Sequence, residues 1–240
     1  MHVLITGGSR GIGAATARAC GARGWDVTLS FERGQGAAEA VAEEIVGMGA
    51  RALAVRADMA VEADILALFD AAGSMAPVTG LVHNAGIAMH ASALADMNAE
   101  RIARTIAINT TGALLVAREA ARRLPEGASA VFLSSAAARL GGAGSWVDYA
   151  ASKGAIDTLV IGLAHELAPK GVRVNAVRPG IIDTELHARA GLPERVATAG
   201  RLVPLGRAGK ADEVAEAIVW LLSDAASYVT GAILDVSGGR

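Results

Sequence analysis

The sequence predicts an α/β protein built on one doubly wound parallel sheet of about seven strands, a three-layer sandwich with helices on both faces. Three observations carry this prediction. Short, apolar, β-rich runs alternate with longer helical stretches from His2 to Val236. These runs are apolar nearly throughout, as expected of strands covered on both faces. A glycine-rich turn follows the first run and leads into the first helix, the place where open α/β sheets bind ligands. No repeat, linker or low-complexity stretch interrupts the alternation, so residues 1–240 read as one domain.

The elements follow in order. His2 to Thr6 (HVLIT) is a buried strand. Gly7-Gly-Ser-Arg-Gly11-Ile-Gly13 turns the chain into a helix over Ala14 to Arg23. Trp25 to Phe31 is the second strand, Glu32-Arg-Gly-Gln-Gly its turn, and Ala37 to Met48 the second helix. Arg51 to Ala57 is the third strand, ending at Asp58-Met59, with a helix over Val61 to Met75. Gly80 to His83 is the fourth strand and runs into Asn84-Ala-Gly86. Asn98 to Leu124 reads as one long helix with Asn109 inside it. Ala128 to Ser134 is the fifth strand, and the small, Gly-rich stretch Ser135 to Trp146 is loop. A helix over Val147 to Leu167 precedes the sixth strand, Val172 to Val177, which is closed by Arg178-Pro-Gly180. Ile181 to Leu205 lacks periodicity and reads as a loop with short helices, the expected substrate loop. Lys210 to Leu222 is helix, and Ala232 to Val236 is the last strand.

Composition narrows the function. The chain is 52% hydrophobic and carries a net charge of −2, which suits a large core and offers no bulk attraction to nucleic acid or membrane. The lone Cys20 excludes an internal disulfide and fits a reducing compartment. No secretory segment precedes the first strand, and no apolar run reaches membrane-span length, so a cytoplasmic protein is expected. The five histidines show no metal-ligand spacing, so no catalytic metal is expected.

Two constellations carry chemistry. The glycine turn lets backbone approach a diphosphate, while the helix N-terminus beyond it offers free N–H groups and the positive end of a dipole. Its spacing is G-x-x-x-G-x-G, and no G-K-[ST] ends it, so a P-loop is not indicated. The second is Tyr149 and Lys153, four residues apart and therefore stacked on one helix face. A phenol alone, with a pKa of ~10, is a poor acid or base near neutrality. A fixed ammonium beside it favours phenolate and tunes it toward working pH.

In sum these residues resemble a short-chain dehydrogenase/reductase over essentially the whole chain. The resemblance is carried by Thr6-Gly-Gly-Ser-Arg-Gly-Ile-Gly13, Asp58, Asn84-Ala-Gly86, Asn109, Ser134-Ser135, Tyr149-x-x-x-Lys153, Pro179-Gly180 and Asp235-Val-Ser-Gly-Gly239. It implies a Rossmann-like fold and an NAD(P)-dependent oxidoreductase that interconverts a ketone and a secondary alcohol. By that resemblance Tyr149 passes a proton to or from the substrate oxygen. Lys153 lowers the Tyr149 pKa and bonds the nicotinamide ribose. Ser135, favoured over Ser134, holds the substrate oxygen, and Asn109 links Lys153 to a water chain. The implied cofactor groove takes in Gly7, Ser9, Arg10, Gly11, Ile12 and Gly13, then Arg33, Asp58 and Met59. It continues through Asn84, Ala85 and Gly86 to Tyr149 and Lys153, and ends at Pro179, Gly180, Ile182 and Thr184. Asp58 would face the adenine amino group and can also cap the next helix. Family members are commonly tetramers, and the apolar Ile218-Val-Trp-Leu-Leu222 and Ala232-Ile-Leu234 fit a homotetramer.

Cofactor choice turns on the end of the second strand, where an acid selects NAD and a base accepts the NADP phosphate. Phe31 stands where the acid is expected, and Arg10 and Arg33 can clamp a 2′-phosphate, although Glu32 argues the other way. NADP is therefore expected over NAD. His83 replaces the family's usual Asn and is expected toward the adenine side or a neighbouring helix, outside the chemistry. His187, in the Ile181–Leu205 segment, is a candidate substrate contact, with solvent exposure expected over it. The pocket is expected to be lined by Ala136, Arg139, Leu140, Trp146, Ile181 and residues of the Ile181–Leu205 loop. An NAD-dependent sugar dehydrogenase of the glucose 1-dehydrogenase kind and a 3-oxoacyl thioester reductase both stay open. For the latter, Arg122, Arg123, Lys170 and Arg173 are a candidate patch for an acidic acyl carrier. A non-catalytic dinucleotide-binding regulator is the remaining alternative.

Overall fold

The computed structural model describes all residues, 1–240. Strands β1 (His2–Thr6), β2 (Asp26–Phe31), β3 (Ala52–Arg56), β4 (Gly80–His83), β5 (Ser129–Leu133), β6 (Arg173–Pro179) and β9 (Ile233–Val236) form one parallel sheet in the order β3-β2-β1-β4-β5-β6-β9. The short β7 (Ile182–Asp183) and β8 (Gly209–Lys210) pair separately. The helices are α1 (Gly11–Gly21), α2 (Gln35–Gly47), α3 (Glu62–Met75), α4 (Ala99–Ile106), α5 (Gly112–Arg123), α6 (Ala137–Leu140), α7 (Val147–Leu167), α8 (Glu185–Arg189), α9 (Arg195–Gly200) and α10 (Ala211–Leu222). Because β2 and β4 flank β1, the strand order reverses at β1, and this opens a crevice at the carboxyl ends of β1 and β4.

Alternate residues of each strand feed two cores. Leu4, Leu81, Ala130 and Phe132 pack with α3, α5 and α7. Val3, Ile5, Val82 and Val131 pack on the other face with α1, α2 and α10. Both faces are thus covered, which is why the strands read as unbroken apolar runs.

Four expectations are corrected. The first helix begins at Gly11, so Gly13 of the turn is already helical. The expected helix Asn98 to Leu124 is broken by a π-helical turn, Ala107–Thr111, centred on Asn109. The Ser135–Trp146 loop contains the single turn α6. In Ile218–Leu222, all but Trp220 are buried in the core, so only Trp220 is free to meet a partner. No helix is long and apolar enough to cross a membrane.

Candidate active site

A cavity of about 770 Å³ runs from the glycine turn, across the carboxyl ends of β1, β4 and β5, to the start of α7 and the α8–α9 segment. Gly7 and Gly11 hold positive φ, +68° and +53°, which a side chain would strain. α1 opens at Arg10 with no side-chain cap and no acid in its first turn, leaving its first N–H groups for an anion. Asn84 ties the two strand ends together: its Nδ2 donates to Gly7 O at 2.9 Å. The fit to a dinucleotide rests on this wall, where backbone takes the place of side chains next to an uncapped helix end.

Two site candidates do not face the cavity. Gly13 sits behind the turn, where a Cβ would lie 2.2 Å from Gly7 O and 2.5 Å from Asn84 Nδ2, so its bareness serves helix–strand packing. Asn109 is buried at the π-turn and clamps the segment after Gly86. Its Oδ1 accepts from Ile87 N at 2.8 Å, and its Nδ2 donates to Ile87 O at 2.9 Å and to Ser152 Oγ at 3.0 Å. The remaining candidates, from Gly7 through Thr184, line the wall. Asp58 also shapes the turn into α3, accepting from Ala60 N at 2.8 Å.

At the far end α7 brings Tyr149 and Lys153 to the same wall as Ser135. Ser134 is instead buried and donates to Lys153 O at 3.2 Å. Burial pushes the Tyr149 phenol above its ordinary pKa, with hydrogen bonding to Ser135 opposing. Burial draws the Lys153 ammonium down to about 8, with Asp157 opposing. Lys153 is not among the groups that shift Tyr149. The ammonium lies 5.7 Å from the phenol ring centre and donates to Leu133 O at 2.6 Å, so it is not aimed at the hydroxyl. Two hydroxyls, those of Ser135 and Tyr149, thus line the same end of a partly desolvated cavity, an arrangement able to stabilise charge on a carbonyl oxygen.

His83 is buried, its ring centre 5.7 Å from that of Phe132 on β5. Thr6 Oγ1 accepts from Asn84 N and Ala85 N at 3.1 and 3.0 Å, so its proton goes to His83 Nδ1 at 3.0 Å. Burial, reinforced by Lys153, pulls His83 down to about 3, and the ring is neutral. Arg139 turns away from the cavity to Asp235, at 3.3 Å. His187, expected in solvent, is only 8% exposed and packs at 6.0 Å from the Trp146 ring. Arg195 lies 4.7 Å over that same ring. No motif marks His187 or Arg195; only the folding of α8 and α9 over Trp146 brings them into the site.

A glycine-rich dinucleotide crevice ending in a Tyr–Lys–Ser wall defines a nicotinamide-dependent oxidoreductase. The comparisons agree. A family model described as Enoyl-(Acyl carrier protein) reductase matches residues 7–240. The chain is 46% identical to the uncharacterized oxidoreductase YgfF of Escherichia coli, covering 99% of this chain and 98% of that one. It is 41% identical to the L-rhamnose 1-dehydrogenase (NAD(P)(+)) of Azotobacter vinelandii, covering 99% and 95%. A short chain dehydrogenase from Burkholderia cenocepacia, solved with NADP, superposes with a TM-score of 0.89 at 34% identity, covering 99% and 96%. The chain belongs to the short-chain dehydrogenase/reductase family and is an NAD(P)(H)-dependent oxidoreductase acting on a carbonyl or alcohol substrate.

Proposed function

We propose that this enzyme prefers NADP(H) and interconverts a ketone and a secondary alcohol, with Tyr149 as the proton donor and acceptor. The observation that carries the reading is the meeting of Ser135 and Tyr149 on one wall, above the buried Lys153. When bound, the nicotinamide supplies or takes the hydride. Ser135 holds the substrate oxygen, and Tyr149 exchanges a proton with it. Lys153 sits one helical turn below, close to the Gly86 backbone that Asn109 fixes: a Cβ on Gly86 would lie 3.4 Å from Lys153 Nζ and 3.3 Å from Asn109 Oδ1. A ribose hydroxyl there would offer the ammonium a second acceptor besides Leu133 O, and an ammonium kept charged favours the phenolate.

The NADP preference is supported at the adenine end. β2 ends at Phe31, and Glu32 is already paired with Arg104 at 3.4 Å and Arg33 at 3.5 Å. Arg10 lines the cavity with no acidic partner among the ion pairs. The acyl-carrier patch finds no support, because its cations are engaged. Arg122 and Arg123 bond Glu119, Lys170 bonds Ala121 O, and Arg173 bonds the Leu221 and Leu222 carbonyls. A homotetramer is part of the proposal: Ile102, Ile106 and Leu114 along α4–α5 and Trp220 on α10 are exposed apolar side chains that partners would cover. A monomer by light scattering at micromolar concentration would overturn it.

The test is nicotinamide absorbance with NADPH and NADH against ketones, aldoses and acyl thioesters. Tyr149→Phe should lower kcat by about 10²–10⁴ with NADPH binding retained. A kcat/KM for NADH equal to or above that for NADPH refutes the cofactor preference, and full activity of Tyr149→Phe refutes the proton role.

A further inference from the structure

Every acid that lines the cavity has a cation of its own. Glu32 pairs with Arg33 and Arg104, Asp58 approaches Arg104 at 3.6 Å, and Glu185 pairs with Arg189 at 2.8 Å. Arg195 lines the same cavity and forms no ion pair. The Arg240 guanidinium lies near enough for its charge to oppose that of Arg195. A guanidinium with no acid of its own beside a second cation is stabilised by an anion that reaches it.

The geometry around Arg195 points the same way. Stacking at 4.7 Å on the Trp146 ring uses the face of the guanidinium and leaves the N–H groups at its edge unspent. Arg195 Nε is buried and has no hydrogen-bond partner. His187, whose ring centre lies 6.0 Å from that of Trp146, is 8% exposed and likewise leaves Nδ1 buried without a partner. Unsatisfied buried polar atoms are costly, and two of them lie beside one indole. Trp146 is itself fixed by donating Nε1–H to Met89 O at 2.8 Å, and it stands three residues before Tyr149. The cluster therefore belongs to the reacting end of the cavity, away from the glycine turn and Arg10.

We infer that Arg195, with His187 and Arg240 beside it, is an anion-recognition subsite, and that the substrate is a keto acid or hydroxy acid whose carboxylate lies here while its carbonyl or hydroxyl faces Tyr149 and Ser135. This rests on the proposed carbonyl chemistry and adds the charge of the substrate. Arg195 touches substrate but takes no part in proton or hydride transfer. A planar guanidinium stacked on Trp146 offers a carboxylate two parallel N–H donors, and Lys cannot reproduce that fork.

The experiment compares 4-oxopentanoate, 5-oxohexanoate and 6-oxoheptanoate with their carboxamides, using NADPH and both wild type and Arg195→Gln. At the chain length that spans the two subsites, wild type should favour the carboxylate over the amide by at least about tenfold in kcat/KM. Arg195→Gln should remove that preference, with the loss falling on KM for the carboxylate far more than on the amide. Equal use of acid and amide at every length, or an equal loss on both in Arg195→Gln, overturns the inference. Calorimetric titration of the three carboxylates into the NADPH-saturated protein separates the two readings. Binding that depends on Arg195 without turnover refutes the proposed activity alone, and turnover of amides without carboxylate binding refutes the anion subsite alone.

Discussion

Replacing Arg101 with Met tests whether the active-site helix is anchored by a buried ion pair. Arg101 on α4 meets Asp148 on α7, one residue before Tyr149, with Nε to Oδ2 at 2.9 Å and Nη2 to Oδ1 at 3.3 Å. The two side chains are 12% and 1% exposed, so solvent screens the pair little. Thr105 Oγ1 also donates to Asp148 Oδ2, at 3.2 Å. Removing the cation strands a carboxylate that has one side-chain donor left, a change that costs about 3–5 kcal/mol. For a chain of this size each kcal/mol lowers Tm by ~2–4 °C, so a fall of roughly 10 °C is expected by calorimetry. The pH dependence supplies a second readout. Burial pushes the Asp148 pKa up, but bonds from Arg101, the backbone and Thr105 outweigh it, and the net shift is downward. In wild type this stabilisation is present above the ordinary carboxylate value of 3.8 and is lost as pH falls through the lowered one. Without Arg101 the largest opposing cause is gone and the Asp148 pKa lies above its wild-type position. Protonation then relieves the buried charge sooner, and the deficit of the variant narrows as pH falls through the carboxylate range. A loss under about 1 kcal/mol, the range of an exposed pair, would refute the reasoning, as would a deficit that does not change with pH.

The glycine turn makes a sharper steric prediction. Gly13→Ala places a Cβ 2.2 Å from Gly7 O, so the turn must open, and NADPH affinity by fluorescence titration should fall at least about tenfold while far-ultraviolet dichroism stays near wild type. Arg10→Gln should raise KM for NADPH several-fold more than KM for NADH, the mark of a lost phosphate contact. Lys153 has a folded pKa of about 8 against an ordinary 10.5, so the cofactor-free protein should gain stability as pH rises between those values. Lys153→Met should abolish that slope in chemical denaturation.

What could be read from the sequence was local. Tyr149 and Lys153 share a face because helical spacing requires it, and the glycine turn declares itself by lying between a strand and a helix. The direction of the Lys153 ammonium was not local. Spacing puts it below Tyr149, but Leu133 O, twenty residues earlier, captures it. The basic patch read from Arg122, Arg123, Lys170 and Arg173 dissolved because Glu119, itself buried, gathers two of these cations and backbone carbonyls take the rest. His187 and Arg195 lie in a stretch with no periodicity, and their value comes from the Trp146 indole, far earlier in the chain. A sequence reports such a meeting only through a motif, and this stretch carries none.

The π-turn at Ala107–Thr111 has a consequence for how the family's chains can vary in length. A widened turn of this kind behaves as one residue added to an otherwise continuous helix. Each residue of a helix advances it by about 100°, so α5 is phased against α4 by that one residue. Deleting any single residue between Ala107 and Thr111 would restore an even helix and unhitch Asn109 from the Ile87 loop, with every side chain of α5 carried round by the same angle. Length here is thus a phase constraint beside the chemical one set by the Asn109 amide: the stretch cannot lose one residue without de-registering half of a long helical rod from the sheet it covers.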